Sequence, residues 1–198
     1  MAARIEAISP PYAPDVQNSF EQIMPEGMAP LTIFRTVANN PRVLQRMVAG
    51  GLLDTGSISI NERELIILRT CAMLGAEYEW GVHVAGFAHK AGLNAKQIAD
   101  TCQEKTDPLL WSGPQQLLLG LADELRLTGQ ISDTLWQRLT EHYRPDQVIE
   151  LLMLTGLYHA VSFVVNATRI PNEGFAPRFP DLTGRPTFKR TENDRSAL

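Results

Sequence analysis

Sulfur is scarce in this 198-residue chain: Cys71 and Cys102 are its only cysteines, far apart, with no Cys-x-x-Cys and no metal-ligand spacing. That excludes a disulfide framework and suits a reducing cytosol. No cluster brings three ligands to metal spacing, so no metal is expected. Basic excess is missing too. A formal net charge of −4 and a pI of about 5.6 leave no electrostatic footprint for nucleic acid, and no block of like charge suggests a membrane surface. The opening MAARIEAISPPYAPDVQ lacks an apolar core of signal-peptide length, which makes a cytoplasmic location the expectation. Period-two alternation between hairpin signals is also absent. The β-branched cluster Ser162 to Val165 could be a strand by propensity, but its neighbours carry helical period.

What is present is helical period and punctuation. Hydrophobic residues make up 44% of the chain, enough for the core of one domain. Residues 1–28 read as a proline-punctuated arm in which Asp15 to Ile23 could form a short helix. A helix from Leu31 stops at Asn39-Asn40, and Pro41 opens another that ends at Gly50-Gly51. After a linker, Thr55, Ser57, Ser59 and Asn61 offer N-caps for the next helix. Asn94 with Gln97 is a capping-box pattern, Pro114 opens a helix closed by Gly129, and Ser132 or Asp133 caps one running to His142. The last helix, from about Pro145 to Ile170, is apolar on most faces. Glu150, His159, Asn166 and Arg169 interrupt it, so it reads as a core or interface helix and not as a membrane span. Its stretch Val148 to Val165 has too little polar face for a monomer surface, so self-association is expected. The fold class is all-α, with about eight helices over residues 29–171. The tail, residues 172–198, lacks helical period, and Phe175, Phe179 and Phe188 would suit an arm on a neighbouring subunit.

The chain is organised around Glu64 to Leu93, two amphipathic helices joined at Gly75-Ala76. Glu79 and His83 are four apart on one face of the second helix, and Phe87 continues that face. Counting from the turn, Glu64 lies roughly 16 Å back and His83 roughly 12 Å forward at ~1.5 Å per residue, so an antiparallel turn brings Glu64 to His83 before Glu79. Each has a plainer reading. Glu64 could be the capping-box partner of Asn61, and Glu79 with His83 a helix-supporting surface pair. Thr155, Tyr158/His159, Ser162 and Asn166 form a polar stripe on the last helix, either a pocket wall or a set of local bonds at an oligomer contact.

The segment NERELIILRTCAMLGAEYEWGVHVAGFAHKAGLNAKQI resembles the signature of the carboxymuconolactone decarboxylase family, in the alkylhydroperoxidase D-like superfamily. The resemblance is carried by Arg63-Glu64-Leu65, by Glu79-x-x-x-His83 and by Ala91-Gly92-Leu93. The flanks FRTVANNPRVLQRMVAGG and GLYHAVSFVVNATRIPNE extend it over about residues 29–173. It implies an alkylhydroperoxidase D-like helical bundle and, as relatives commonly do, assembly into a trimer or a dimer-based hexamer. Peroxide-reducing members carry a CxxC whose positions here are Ala76 and Glu79. Neither supplies sulfur, so a dithiol mechanism is discounted, and Cys71 reads as a small core residue.

The Glu-x-x-x-His form resembles the decarboxylase branch. That implies a cofactor-independent lyase acting on a small carboxylated lactone or related cyclic acid, with catalytic His83, Glu64 and Glu79. Tyr78, Trp80, Tyr158 and Asn166 are the candidate substrate-binding residues. An isomerase or hydrolase-like enzyme using the same trio, or a non-catalytic oligomeric binding protein, are the alternatives.

Overall fold

A computed structural model of the protein describes residues 2–181, and within them every regular element is helical. The helices are α1 (Pro14–Ile23), α2 (Thr32–Val37), α3 (Pro41–Ala49), α4 (Ile60–Met73), α5 (Glu77–His83), α6 (Ala95–Asp100), α7 (Gly113–Thr128), α8 (Asp133–His142) and α9 (Pro145–Thr168). A π turn, Val84–Ala88, extends α5, and a 3-10 turn spans Pro108–Leu110.

Helix α4 is the axis of the domain, packed by α5, α7 and α9. Every residue from Arg63 to Ala72 is buried, the charged Arg63, Glu64 and Arg69 included, so the helix is enclosed on all faces. Its N-cap is Ser59, whose hydroxyl accepts from the Glu62 amide while Glu62 Oε2 accepts from the Ser59 amide at 2.7 Å. This capping box, two residues earlier than Asn61 with Glu64, leaves the Glu64 carboxylate unused at the helix end. Asn94 with Gln97 forms the predicted box on α6, and Ser132 caps α8.

Gly75 (φ 68°) makes the left-handed turn after α4 that folds α5 back alongside it. Residues 172–181 lie against this same subunit. Glu173 Oε1 accepts from the Thr32 amide and the Tyr78 hydroxyl, both at 2.7 Å, and Arg178 pairs with Glu77 at 2.7 Å. Phe179 stacks on Trp80 at 5.2 Å. Phe175, also of the expected arm, is exposed, and Phe188 falls outside the described residues.

Candidate active site

The site assembles at the junction of α5 with the π turn. His83 is the last α-helical residue and is 2% exposed. Its Nδ1 meets Glu64 Oε2 at 2.7 Å, the contact expected from helix lengths, and Glu64 is fully buried. The second oxygen of Glu64 accepts from Arg63 Nε at 2.9 Å. Arg63 Nη1 in turn donates to the Leu53 carbonyl at 2.6 Å. Leu53 follows Leu52, which sits at φ 51°, a left-handed conformation that costs a branched residue energy. The linker is also clasped by α9: Glu150 Oε2 accepts from the Ser57 amide at 2.6 Å, and Gln147 donates to the Ser57 carbonyl at 3.0 Å.

On the other side of the ring, Nε2 faces Tyr158 Oη at 2.9 Å and Glu79 Oε1 at 3.4 Å. The imidazole is therefore flanked by a carboxylate at Nδ1 and by a phenol and a second carboxylate at Nε2. Burial is the largest single influence on His83 and pulls its pKa down. Hydrogen bonds to Glu64 and Glu79, with their charges, together outweigh burial and raise the pKa to about 9. Arg63, Glu64, His83 and Glu79 thus form a buried row of alternating charge. Glu79 Oε2 is buried with no hydrogen-bond partner among the described residues, an acceptor ready for a donor.

The π turn shapes the roof. Widening the helix after His83 lays the Phe87 ring on the imidazole at 5.2 Å, with the Arg63 guanidinium 5.4 Å from the same ring. The residue pattern by itself predicts a plain α-helix to about Ala91, and nothing in it signals the wider turn.

Two other protic groups border the cluster. Burial, then the charge of Glu79, holds the Tyr158 phenol well above its usual range, so it stays a proton donor. Burial and then Glu79 likewise push the Cys71 thiol up, against a thiolate, and Ser162 Oγ donates to its sulfur at 3.9 Å. Among the described residues, no three His, Cys, Asp or Glu side chains converge as a metal set.

Of the candidate substrate-binding residues, Tyr158 is drawn to His83 and three have their polar atoms occupied elsewhere. Tyr78 donates to Glu173 and accepts from the Ile33 amide at 3.1 Å. Trp80 Nε1 donates to Thr101 Oγ1 at 3.1 Å, and Asn166 donates to the Leu74 carbonyl at 2.9 Å, closing the end of α4. In the stripe on α9, Thr155 Oγ1 donates to the Leu151 carbonyl and His159 Nδ1 meets the Thr155 carbonyl. Arg63 is marked in the sequence only by its place in Arg63-Glu64-Leu65; the structure sets its guanidinium on Glu64.

Residues 41–113, which contain the Arg63, Glu64, Glu79 and His83 positions, match the model of the carboxymuconolactone decarboxylase family. No curated protein sequence matches the chain. Among solved structures, a peroxidase-related protein from Silicibacter sp. TM1040 superposes with a TM-score of 0.74 at 16% identity, covering 89% of this chain and 95% of that one. The debrominase Bmp8, in a cysteine-to-alanine form bound to 2,3,4-tribromopyrrole, gives 0.73 at 13% identity over 88% and 94%. An alkylhydroperoxidase AhpD core protein from Ralstonia eutropha JMP134 gives 0.70 at 16% over 87% and 95%. The family match thus covers the segment that bears the site, and the helical architecture of these solved structures is shared over nearly the whole domain.

Proposed function

We propose that the protein is a cofactor-independent lyase that removes carbon dioxide from a small carboxylated lactone or a related cyclic acid. The observation that carries this reading is a buried imidazole kept protonated between two carboxylates, with a phenol beside its Nε2. Sulfur is not placed for redox work: the CxxC positions hold Ala76 and Glu79, and the Cys71 thiol is pushed away from its reactive form. That a protein of the same fold is a debrominase bound to a small brominated ring agrees with a small cyclic substrate.

In such a substrate the carbon–carbon bond to the carboxylate breaks, and its electron pair moves into the conjugated carbonyl as carbon dioxide leaves. The substrate is its own electron sink. The protein then stabilises an enolate oxygen and returns a proton to carbon. Tyr158 is the neutral donor placed to hydrogen-bond the oxygen, and His83 Nε2 carries the proton. Solvent reprotonates the ring after release. Glu64 sets the tautomer and holds the charge, and Glu79 faces the same nitrogen. Arg63, with no hydrogen bond on Nη2 among the described residues, is the cation that offsets the two glutamates for an anionic substrate.

The test is a screen of carboxylated lactones and cyclic keto acids by mass shift, with wild type and His83→Gln side by side. Loss of carbon dioxide is expected from wild type, and a rate lower by ~10²–10⁴-fold from the folded variant. Conversion without mass change would assign an isomerase instead. Equal turnover by His83→Gln would end the acid–base reading.

A further inference from the structure

Counting the bonds of the buried cluster leaves one donor and one acceptor over, both on the same side of the imidazole. With His83 protonated, Nδ1–H donates to Glu64 Oε2 at 2.7 Å and Nε2–H donates to Tyr158 Oη at 2.9 Å. The Tyr158 hydroxyl, having accepted there, keeps its own hydrogen, which finds no acceptor among the described residues. Beside it, Glu79 Oε1 stands 3.4 Å from Nε2, while Oε2 is buried with no hydrogen-bond partner among the described residues. Glu79 is 7% exposed, so bulk solvent does not supply the missing bond. A ligand at Nε2 thus meets one hydrogen to accept and one oxygen to donate to.

Building on the acid–base reading of the cluster, we propose that Glu79 Oε2 is the specificity-determining acceptor of this site, and that the substrate is a cyclic acid with a hydroxyl beside its carbonyl. The carbonyl oxygen accepts from Tyr158, and the neighbouring hydroxyl donates to Glu79. A simple carboxylated lactone fits less well. At neutral pH all its polar atoms are acceptors, and any of them set against Oε2 adds repulsion to a bond that stays unmade.

The row of charges also fixes where the hydroxyl lies. Arg63, whose Nε holds Glu64 at 2.9 Å, is at the Nδ1 end of the ring, and Glu79 is at the Nε2 end. A carboxylate drawn to the cation and a hydroxyl drawn to Glu79 therefore point apart. The hydroxyl belongs on the side of the carbonyl away from the carboxylate, where it cannot turn its hydrogen onto its own acid group. A lone buried water is the competing donor for Oε2. Water satisfies the oxygen equally with any ligand, so it gives no preference for hydroxylated rings. A hydrogen bond to a charged acceptor gives a preference of roughly 10–10²-fold.

The experiment titrates the full chain with 3-hydroxybenzoate, 3-methoxybenzoate and benzoate, followed by the NMR signal of His83 Cε1–H, the one missing in His83→Gln. These aromatic acids keep their carboxylate, so binding is read apart from turnover. The phenol oxygen accepts from Tyr158 while its hydrogen goes to Glu79; the methyl ether keeps the oxygen and lacks only that hydrogen. Wild type is expected to bind the hydroxy acid roughly 10–10²-fold more tightly than either analogue. Glu79→Met, close in volume and without an oxygen, should bring all of them within a few-fold, and because a ratio is compared, a general change in anion affinity cancels. The wild-type ratio stands as a test even where that variant does not fold. Equal wild-type affinities assign Oε2 to a buried water and overturn the inference. So does a preference that survives in Glu79→Met, or a His83 signal that none of the acids moves. Hydroxyl preference with no carbon dioxide released from any cyclic acid upholds the inference and ends the lyase reading. Carbon dioxide released from a donor-free lactone as fast as from its hydroxylated counterpart does the reverse.

Discussion

Replacing Glu64 by glutamine is the sharpest perturbation of this site, because it removes one charge and almost no volume. Glu64 holds His83 Nδ1 at 2.7 Å and Arg63 Nε at 2.9 Å, with no water access to its side chain. In the wild type the imidazole rises from its ordinary 6.5 to about 9, worth on the order of 3 kcal/mol. Burial opposes that rise, and Glu64 heads the influences that produce it. With an amide in its place, only Glu79 at 3.4 Å remains to favour the cation, so His83 should titrate at or below about 6.5. The Arg63 guanidinium is left without its anion, and the combined loss of stability should be about 3–5 kcal/mol, read from urea melts. The direct assay is NMR of the imidazole Cε1–H signals. The chain has four histidines, and the His83 signal is the one missing in His83→Gln. In wild type that signal should not move between about pH 5 and 8, and in Glu64→Gln it should titrate inside that range. A wild-type His83 midpoint near 6.5, or one unchanged by Glu64→Gln, would refute the charge-row reasoning.

Stability should depend on pH through the same residue. Because the folded pKa of His83 is raised above its unfolded value, its contribution is full below about 6.5 and is lost as pH rises through about 9. Urea melts should show wild type losing up to about 3 kcal/mol relative to His83→Gln across that window, and a difference that stays flat would contradict the assignment. Replacing Cys71 and Cys102 together with serine should leave turnover of a true substrate within a few-fold, and hydroperoxide consumption with a dithiol donor at the heat-denatured background. Both thiols are buried, and Cys71 is held away from its thiolate. Peroxidase activity abolished by Cys71→Ser alone would return the chain to dithiol chemistry.

Local chemistry wrote much of this protein legibly. Proline and glycine punctuation marks the ends of α3, α7 and α9, and the Asn94 box opens α6, because caps and left-handed turns depend on residues a few positions apart. The pairing of Glu79 with His83 follows from helical pitch. Even the Glu64–His83 contact follows from counting back and forth across Gly75, since two helices joined by a tight turn have little freedom of register.

Packing across the chain decided the rest. Tyr158 reaches His83 from 75 residues away, and among the polar residues of α9 only the bundle geometry distinguishes it from Asn166, which instead closes the end of α4. Ser59 and not Asn61 caps α4, because Asn61 is drawn off to the Ala91 carbonyl at 2.7 Å and to Gln115 at 3.0 Å. The π turn places Phe87 over the ring through a widening that no residue pattern announces. Arg63 is fixed at the cluster by a carbonyl of the preceding linker. Periodicity along a chain specifies which face of a helix is apolar. Which buried polar group meets which is settled only when distant helices share one interior, where each donor and acceptor must find a partner or go without.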